Sequence, residues 1–200
     1  MTDAQTRRRT ALHESSHAIV GYALGWRIRT VVVAEGGGSL GFCEHHRRED
    51  LSPMALAIDD VTILLAGRVG EMLEPMSGYA PDVDDDEDAI KRAVDKALGA
   101  LPHEDGAFVY AALHDDRPDR GDDDTKALAI ALQVVADEAA FRERGGFLEF
   151  CGSRATRYIC SHVAAILALA EELSRRPILA GAVAEAIIER AEAPTRGDAA

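Results

Sequence analysis

The sequence predicts one mainly helical domain with a small β-sheet near its N-terminus. Alanine and leucine are abundant while aromatic residues make up only 5% of the chain, a bias that favours helices packed through small and aliphatic side chains. Most segments carry apolar residues at helical spacing, whereas β-branched residues concentrate in the short run 28–34. With 200 residues the chain can form one domain, which we assign to 1–193, leaving 194–200 as a disordered tail.

The N-terminal third is predicted to form a helix followed by two antiparallel strands. Apolar residues at helical spacing over 3–24 indicate the helix, and Gly25 is suited to end it. The β-branched run 28–34 predicts the first strand, and 39–44 predicts the second after a glycine-rich turn.

The remaining two thirds are predicted to be helical. Ser52 and Pro53 are typical of an N-cap and a first helical position, and Pro75 is expected to end the helix that they begin. Helical periodicity and Pro177, which can open a helix, predict four more helices, at 84–101, 125–142, 154–174 and 178–191.

Charge and cysteine content exclude several classes of function. The net charge of −13 disfavours nucleic acid and anionic membranes as partners, because both require a basic surface. Three widely spaced cysteines do not form a disulfide framework and are typical of reduced thiols. No apolar run is long enough to span a membrane, so the sequence is interpreted as that of a cytoplasmic protein.

The segment His13-Glu-Ser-Ser-His17 carries the clearest chemical signal. Residues four apart lie on one face of a helix, so both imidazoles can bind one zinc ion. Glu14 then lies beside the ion and can act as the general base on the attacking water. The third ligand of a catalytic site must come from elsewhere, since no suitable side chain follows within the next ten residues.

Four segments, in the same order along the chain, resemble the peptidase domain of FtsH-type ATP-dependent zinc proteases. Thr10-Ala-Leu-His-Glu-Ser-Ser-His-Ala-Ile-Val-Gly is similar to the start of that domain, with its Thr-Ala-x-His-Glu-x-x-His-Ala-Leu-Val pattern. Residues 37–42 resemble its Gly-Gly-x-Leu-Gly strand, 63–71 its Leu-x-Gly-Arg-Ala-Ala-Glu helix, and 169–181 its C-terminal helix pair.

The resemblance implies a third zinc ligand. In that family it is an aspartate at the start of a helix, followed by alanines four and eight residues later. Asp85 fits, with Ala89 and Ala93 at those offsets, and a carboxylate suits a helix N-terminus. Neighbouring acidic residues remain alternatives for this role: Asp82, Asp84, Asp86 and Asp88.

The resemblance also implies a function and partners. It implies a zinc endopeptidase that hydrolyses unfolded or extended polypeptides lying along the 39–44 strand. The alternative is a non-catalytic, zinc-containing relative that binds peptides or regulates another protein. No phosphate-binding loop occurs in the sequence, so a separate ATPase chain is an expected partner, and a homo-oligomeric ring is implied by the family.

Overall fold

The computed structural model of the chain describes residues 3–33, 41–73, 123, 126–127, 130–131 and 146–193. Over these residues the protein is mainly helical with one small antiparallel sheet, as the sequence predicts. The elements follow one another as α1 (Asp3–Ala23), β1 (Arg27–Val33), β2 (Gly41–His46), α2 (Pro53–Glu71), α3 (Phe147–Ser161), α4 (Val163–Arg175), β3 (Ile178–Ala180) and α5 (Gly181–Glu192).

Helix α1 lies at the centre of the fold and packs against α2, α4 and the sheet. Its apolar face is fully removed from solvent at Leu12, Ile19 and Val20. The helix ends where predicted, because Gly25 adopts a φ of 85°, a left-handed conformation that glycine reaches without a steric penalty. The residues that carry the His-Glu-x-x-His motif therefore belong to a central helix, on which Glu14, Ser15, Ser16 and His17 are all buried.

The sheet has the strand order β2-β1-β3, and both pairs are antiparallel. Strands β1 and β2 pair from Arg27 opposite His46 to Val33 opposite Gly41, with an irregularity in register between Ile28 and Thr30. The predicted antiparallel pair is confirmed, and β2 lies at one edge of the sheet.

The prediction of a helix over 178–191 is wrong at its start. Ile178–Ala180 forms strand β3, in which Leu179 pairs with Val31 of β1 and is buried. The helix begins only at Gly181, whose backbone packs so closely on β1 that a Cβ there would lie 1.8 Å from the carbonyl oxygen of Ile28. Tertiary pairing with β1 thus overrides the helix start that Pro177 suggests.

Helix α2 begins as predicted and then lies unusually close to α1. The Ser52 hydroxyl accepts a hydrogen bond from the backbone N–H of Ala55 at 3.3 Å, and Pro53 is the first residue of the helix. The helix ends at Glu71, before the predicted stop at Pro75. At Gly70 a Cβ would lie 1.8 Å from Ser16 Oγ, so the two backbones can approach one another only because this position lacks a side chain.

The predicted helix 154–174 is two helices, α3 and α4. The break falls at His162, whose φ of −127° and ψ of 22° are not helical. Helix α3 is attached to α2 by a partly buried ion pair, in which Arg154 donates to Asp59 Oδ1 at 2.7 Å. Asp59 Oδ2 also accepts a hydrogen bond from Trp26 Nε1 at 3.2 Å, so one carboxylate connects three parts of the fold.

Other predicted segments are described only in part. Asp123, Lys126, Ala127, Ile130 and Ala131 are helical, in agreement with the helix predicted over 125–142, and we refer to these five residues as the Asp123 segment. The predicted helix 84–101 and the tail 194–200 lie outside the described residues. None of the described helices combines the length and the apolar character needed to cross a membrane.

Candidate metal centre

Three side chains from two distant parts of the chain converge beside α1. His13 and His17 lie one helical turn apart, with ring centroids separated by 4.6 Å and ring planes nearly perpendicular. The Nε2 atom of each ring lies 3.2 Å from the same oxygen, Oδ2 of Asp123. All three potential ligand atoms lie within 4.8 Å of one another.

The opposite nitrogen of each imidazole is held by an acceptor on α2. His13 Nδ1 donates a hydrogen bond to Glu71 Oε1 at 2.8 Å, and His17 Nδ1 donates to the carbonyl oxygen of Ile63 at 2.6 Å. Because neither acceptor carries a hydrogen, both protons must lie on Nδ1, and a neutral ring then presents a lone pair at Nε2. Such contacts fix the orientation and tautomer of metal-binding histidines.

The three converging atoms are all electron-pair donors. A neutral Nε2 and a carboxylate oxygen cannot hydrogen-bond to each other, so their closeness requires either a proton or a metal ion between them. In a tetrahedral site with Zn–N bonds of about 2.0–2.1 Å, neighbouring ligand atoms lie about 3.3–3.4 Å apart. The observed separations of 3.2 Å from each Nε2 to Asp123 Oδ2 are close to that value.

A glycine on α2 leaves the space that an ion would need. A Cβ at Gly67 would lie 2.5 Å from Nε2 of both His13 and His17. Any larger residue at this position would therefore crowd the Nε2 atoms of both rings. Together with the donor set, this gap fits a transition-metal ion such as zinc.

The electrostatics of the group favour a cation. Burial would lower the pKa of His13, but hydrogen bonds to Asp123 and Glu71 and the charge of Glu14 outweigh it and raise the pKa to about 10. Burial likewise opposes ionisation of Asp123, yet the two histidines hold its pKa well below its usual range. Without a metal, the group therefore retains a proton instead.

Glu71 is itself held by a second charged residue. Arg9 Nε donates to Glu71 Oε2 at 2.7 Å, and a second guanidinium nitrogen contacts the same oxygen. Burial alone would raise the pKa of Glu71, but His13 and Arg9 lower it, so the carboxylate stays ionised. The negative charge behind His13 increases the basicity of the imidazole.

Glu14 is buried between α1 and the start of β2. Only 5% of its surface is exposed, and its Oε2 atom has no hydrogen-bond partner in the described structure. A Cβ at Gly41 would lie 2.8 Å from both Cγ and Oε1 of Glu14, so β2 approaches the carboxylate closely. Burial raises the pKa of Glu14, although the charges of His17 and His13 oppose the rise.

Among the residues predicted from sequence, the structure brings His13, Glu14 and His17 together, and it adds Asp123. Asp85 lies outside the described residues, as do the alternatives Asp82, Asp84, Asp86 and Asp88. A signal for Asp123 was present in the sequence, because Ala127 and Ala131 follow it at the same offsets of four and eight. Both alanines are buried.

Two other histidines lie in the neighbouring elements. His45 belongs to β2, and its ring is seated over Gly21 of α1. His162 lies at the break between α3 and α4, where its Nδ1 contacts Glu192. Among the described residues, neither belongs to the group of potential metal ligands.

No model of a known protein family matches the chain, and no curated protein matches it. The assignment of a function therefore depends on the residues and geometry of the site.

Proposed function

We propose that this protein is a zinc-dependent endopeptidase that hydrolyses unfolded or extended polypeptides. The observation that carries the proposal is that Asp123 Oδ2 lies 3.2 Å from Nε2 of both His13 and His17, and that both of these nitrogens lie beside Gly67. Three protein ligands, together with a neighbouring buried glutamate, are the composition of a catalytic rather than a structural zinc site.

Three residues would bind the metal ion, and a fourth would transfer protons. His13 and His17 would hold the ion through neutral imidazoles, and Asp123 would supply a negative charge. When bound, zinc supplies a Lewis acid that polarises the peptide carbonyl and lowers the pKa of water. Glu14 accepts a proton from the water whose oxygen attacks the carbonyl carbon, and it returns a proton to the amine as the C–N bond breaks.

Two properties of Glu14 support the role of general base. Burial raises the pKa of the Glu14 carboxyl, so the carboxylate is a stronger base than an exposed glutamate. A general base works best when its pKa lies near the pH of the reaction. Its Oε2 atom is buried without a partner in the described structure, so one oxygen is free to accept a proton. A purely structural glutamate in this position would be expected to have both oxygens paired.

The edge position of β2 supports a polypeptide substrate. Among the described strands, β2 pairs with β1 alone, and it begins beside Glu14. An extended chain added along its other side would therefore pass the site. An FtsH-type fold, a separate ATPase chain that unfolds substrates, a cytoplasmic location and a homo-oligomeric ring are part of the same proposal. They are supported by the resemblance of the four sequence segments.

The test is the metal content of the purified protein, by elemental analysis, with casein cleavage measured on the same samples. We expect one zinc per chain, lost in His17→Ala and in Asp123→Asn, and cleavage that a chelator abolishes. Asp85→Asn is the matched control, because Asp85 has alanines at the same offsets as Asp123. Loss of zinc in Asp85→Asn alone would make Asp85 the third ligand.

Glu14→Gln separates metal binding from catalysis. This variant should keep its zinc and lose casein cleavage, since the amide cannot accept the proton. Zinc without cleavage in the wild type, even with added ATPase partners, would favour the non-catalytic, peptide-binding alternative. A wild-type protein that takes up no zinc after reconstitution would refute the proposal.

A further inference from the structure

One face of the sheet packs against helices, and the opposite face carries exposed apolar side chains. Helices α1, α4 and α5 contact the sheet, and the buried side chains of Val31, Val33 and Leu179 mark the face on which they pack. Because successive side chains of a strand point to opposite faces, Val32 and Ile178 lie on the other face. We refer to this second face as the outer face of the sheet.

Three apolar residues form one row across the outer face. Val32 of β1 lies opposite Phe42 of β2 and also opposite Ile178 of β3. Residues paired in this way have Cβ atoms about 4.5–5.5 Å apart, so the three side chains are within contact distance. Phe42 is 52% exposed and Ile178 is 67% exposed. The row is therefore a continuous apolar surface that is open to solvent at both ends, rather than a set of isolated exposed residues.

Two arginines and two glutamates beside this row pair with one another. Arg29 Nη1 donates a hydrogen bond to Glu44 Oε1 at 2.7 Å, and Glu44 shares the outer face with Phe42 because the two are alternate residues of β2. At the start of β1, Arg27 Nε donates to Glu185 Oε1 at 2.8 Å. These pairs leave the described part of the outer face close to neutral, whereas the whole chain carries a net charge of −13.

The neutral, apolar character of the outer face indicates which partner it fits. Nucleic acid and anionic membranes require a basic surface, which the paired arginines do not provide. A strongly charged protein would gain little from a face whose charges already offset one another. A second copy of the chain presents the same neutral face, so two acidic chains can meet here with less mutual repulsion than across the rest of their surfaces.

We infer that the protein forms a dimer in which the outer faces of two sheets pack against each other. A two-fold axis parallel to the strands and beside Val32 would place Phe42 of each copy over Ile178 of the other. Sheets that pack face to face lie about 10 Å apart, with their strands within about 30° of each other, and this arrangement satisfies both conditions. The assembly stops at two chains, because each outer face is used once.

The size of the outer face determines the affinity that we expect. Three strands about 4.8 Å apart, with about six residues of 3.3 Å each, give a flat area of roughly 300 Å² per copy. The accessible surface of the side chains exceeds this flat area but stays below the roughly 800 Å² per partner of a standard interface. The dimer should therefore be transient, with a dissociation constant of about 10–100 µM.

The inferred dimer is independent of the proposed peptidase function. The hydrogen-bonding groups of a strand lie in the plane of the sheet, so packing on the outer face leaves the edge of β2 able to pair with a polypeptide. The dimer also differs from the ring implied by the sequence resemblance. A ring is built from two different surfaces on each chain, whereas the outer faces of two copies meet as identical surfaces.

The test is the mass of the full chain by sedimentation equilibrium. We expect the wild type to pass from monomer to dimer between about 1 and 500 µM. Phe42→Asp places a charge in the contact and should raise the dissociation constant at least about 30-fold. Phe150→Asp is the matched control, because Phe150 is 45% exposed but lies on α3, which packs mainly on α2. This control adds the same charge and should dimerise like the wild type.

A mixture of two variants tests the two-fold arrangement. Because residue 42 of one copy faces residue 178 of the other, Phe42→Asp and Ile178→Lys should each dimerise poorly alone. Mixed in equal amounts, they should form a heterodimer, since one of its two contacts becomes an ion pair and the other is unchanged. Both positions are exposed, so each variant should keep the circular dichroism spectrum of the wild type.

Each other outcome would overturn the inference. A wild-type chain that stays monomeric at about 500 µM would leave a different protein as the occupant of the outer face. A dimer or a ring that Phe42→Asp leaves intact, or that Phe150→Asp weakens equally, would show that the chains meet elsewhere. Variants that do not associate when mixed would refute the contact between residues 42 and 178. None of these measurements requires bound zinc or casein cleavage.

Discussion

Replacing Gly67 with alanine tests whether the metal lies between the two Nε2 atoms. The added Cβ would lie 2.5 Å from Nε2 of His13 and of His17, while an ion bonded to both would lie about 2.0–2.1 Å from each. Non-bonded contacts to carbon are favourable only at about 3.5–4.0 Å, so the methyl group falls short by about 1 Å. The methyl group and the ion therefore compete for one space.

The expected effects on stability and on metal binding differ in size. Overpacking costs about 1–3 kcal/mol, and alanine recovers about 1 kcal/mol of helix propensity, so the free energy of unfolding should fall by only about 0–2 kcal/mol. Zinc affinity should fall by more than about 100-fold, beyond the effect typical of residues that only orient a ligand. The assays are urea unfolding of the chelated protein and competition for zinc against a chromophoric chelator.

Gly70→Ala is the matched control on the same helix. Its Cβ would meet Ser16 Oγ rather than the imidazoles, so this variant should lose stability and keep a zinc affinity close to that of the wild type. If Gly67→Ala bound zinc as tightly as the wild type, the ion could not lie where the two lone pairs converge, and the reasoning would be refuted.

Three further predictions concern the surroundings of the site. Glu71→Gln removes the negative charge behind His13 and should weaken zinc binding about 10–100-fold by chelator competition, whereas an unchanged affinity would show that the charge does not matter. Asp59→Ala leaves the partly exposed Arg154 and the indole N–H of Trp26 without their acceptor, and it should reduce the free energy of unfolding in urea by about 1–3 kcal/mol. A loss below about 0.5 kcal/mol would mean that water replaces the carboxylate. In metal-free protein, the raised pKa of His13 contributes stability that is full below pH 6.5 and is lost as the pH rises towards about 10. Urea unfolding across this range should show that decline in the wild type and a weaker one in His13→Gln; equal slopes would contradict it.

The sequence predicted the elements whose signals are local. The N-terminal helix, the β1–β2 pair and the capped start of α2 at Ser52 each depend on residues within one short segment, and all three are confirmed. The closeness of His13 and His17 could be predicted for the same reason, since their spacing on one helix is itself the signal.

The features that escaped prediction depend on contacts between distant segments. Asp123 and Asp85 both have alanines at offsets of four and eight, so local spacing cannot choose between them. Nothing near Glu71 in the sequence indicates that it reaches His13, which is 58 residues away. Strand β3 has only three residues and forms because it pairs with β1. Local helix propensity gives no information about such a tertiary contact.

The hydrogen bonds that orient His13 and His17 differ in how easily a substitution can remove them. The partner of His17 is the backbone carbonyl of Ile63, which every residue at that position would provide as long as α2 stays helical. The partner of His13 is a side chain, Glu71, held in turn by Arg9, whose side chain is 37% exposed. Variation in metal affinity between related chains should therefore arise at positions 9 and 71. Dissolved salt weakens exposed ion pairs, so it should weaken the Arg9–Glu71 pair that supports His13. The hydrogen bond from His17 to the Ile63 carbonyl should be unaffected.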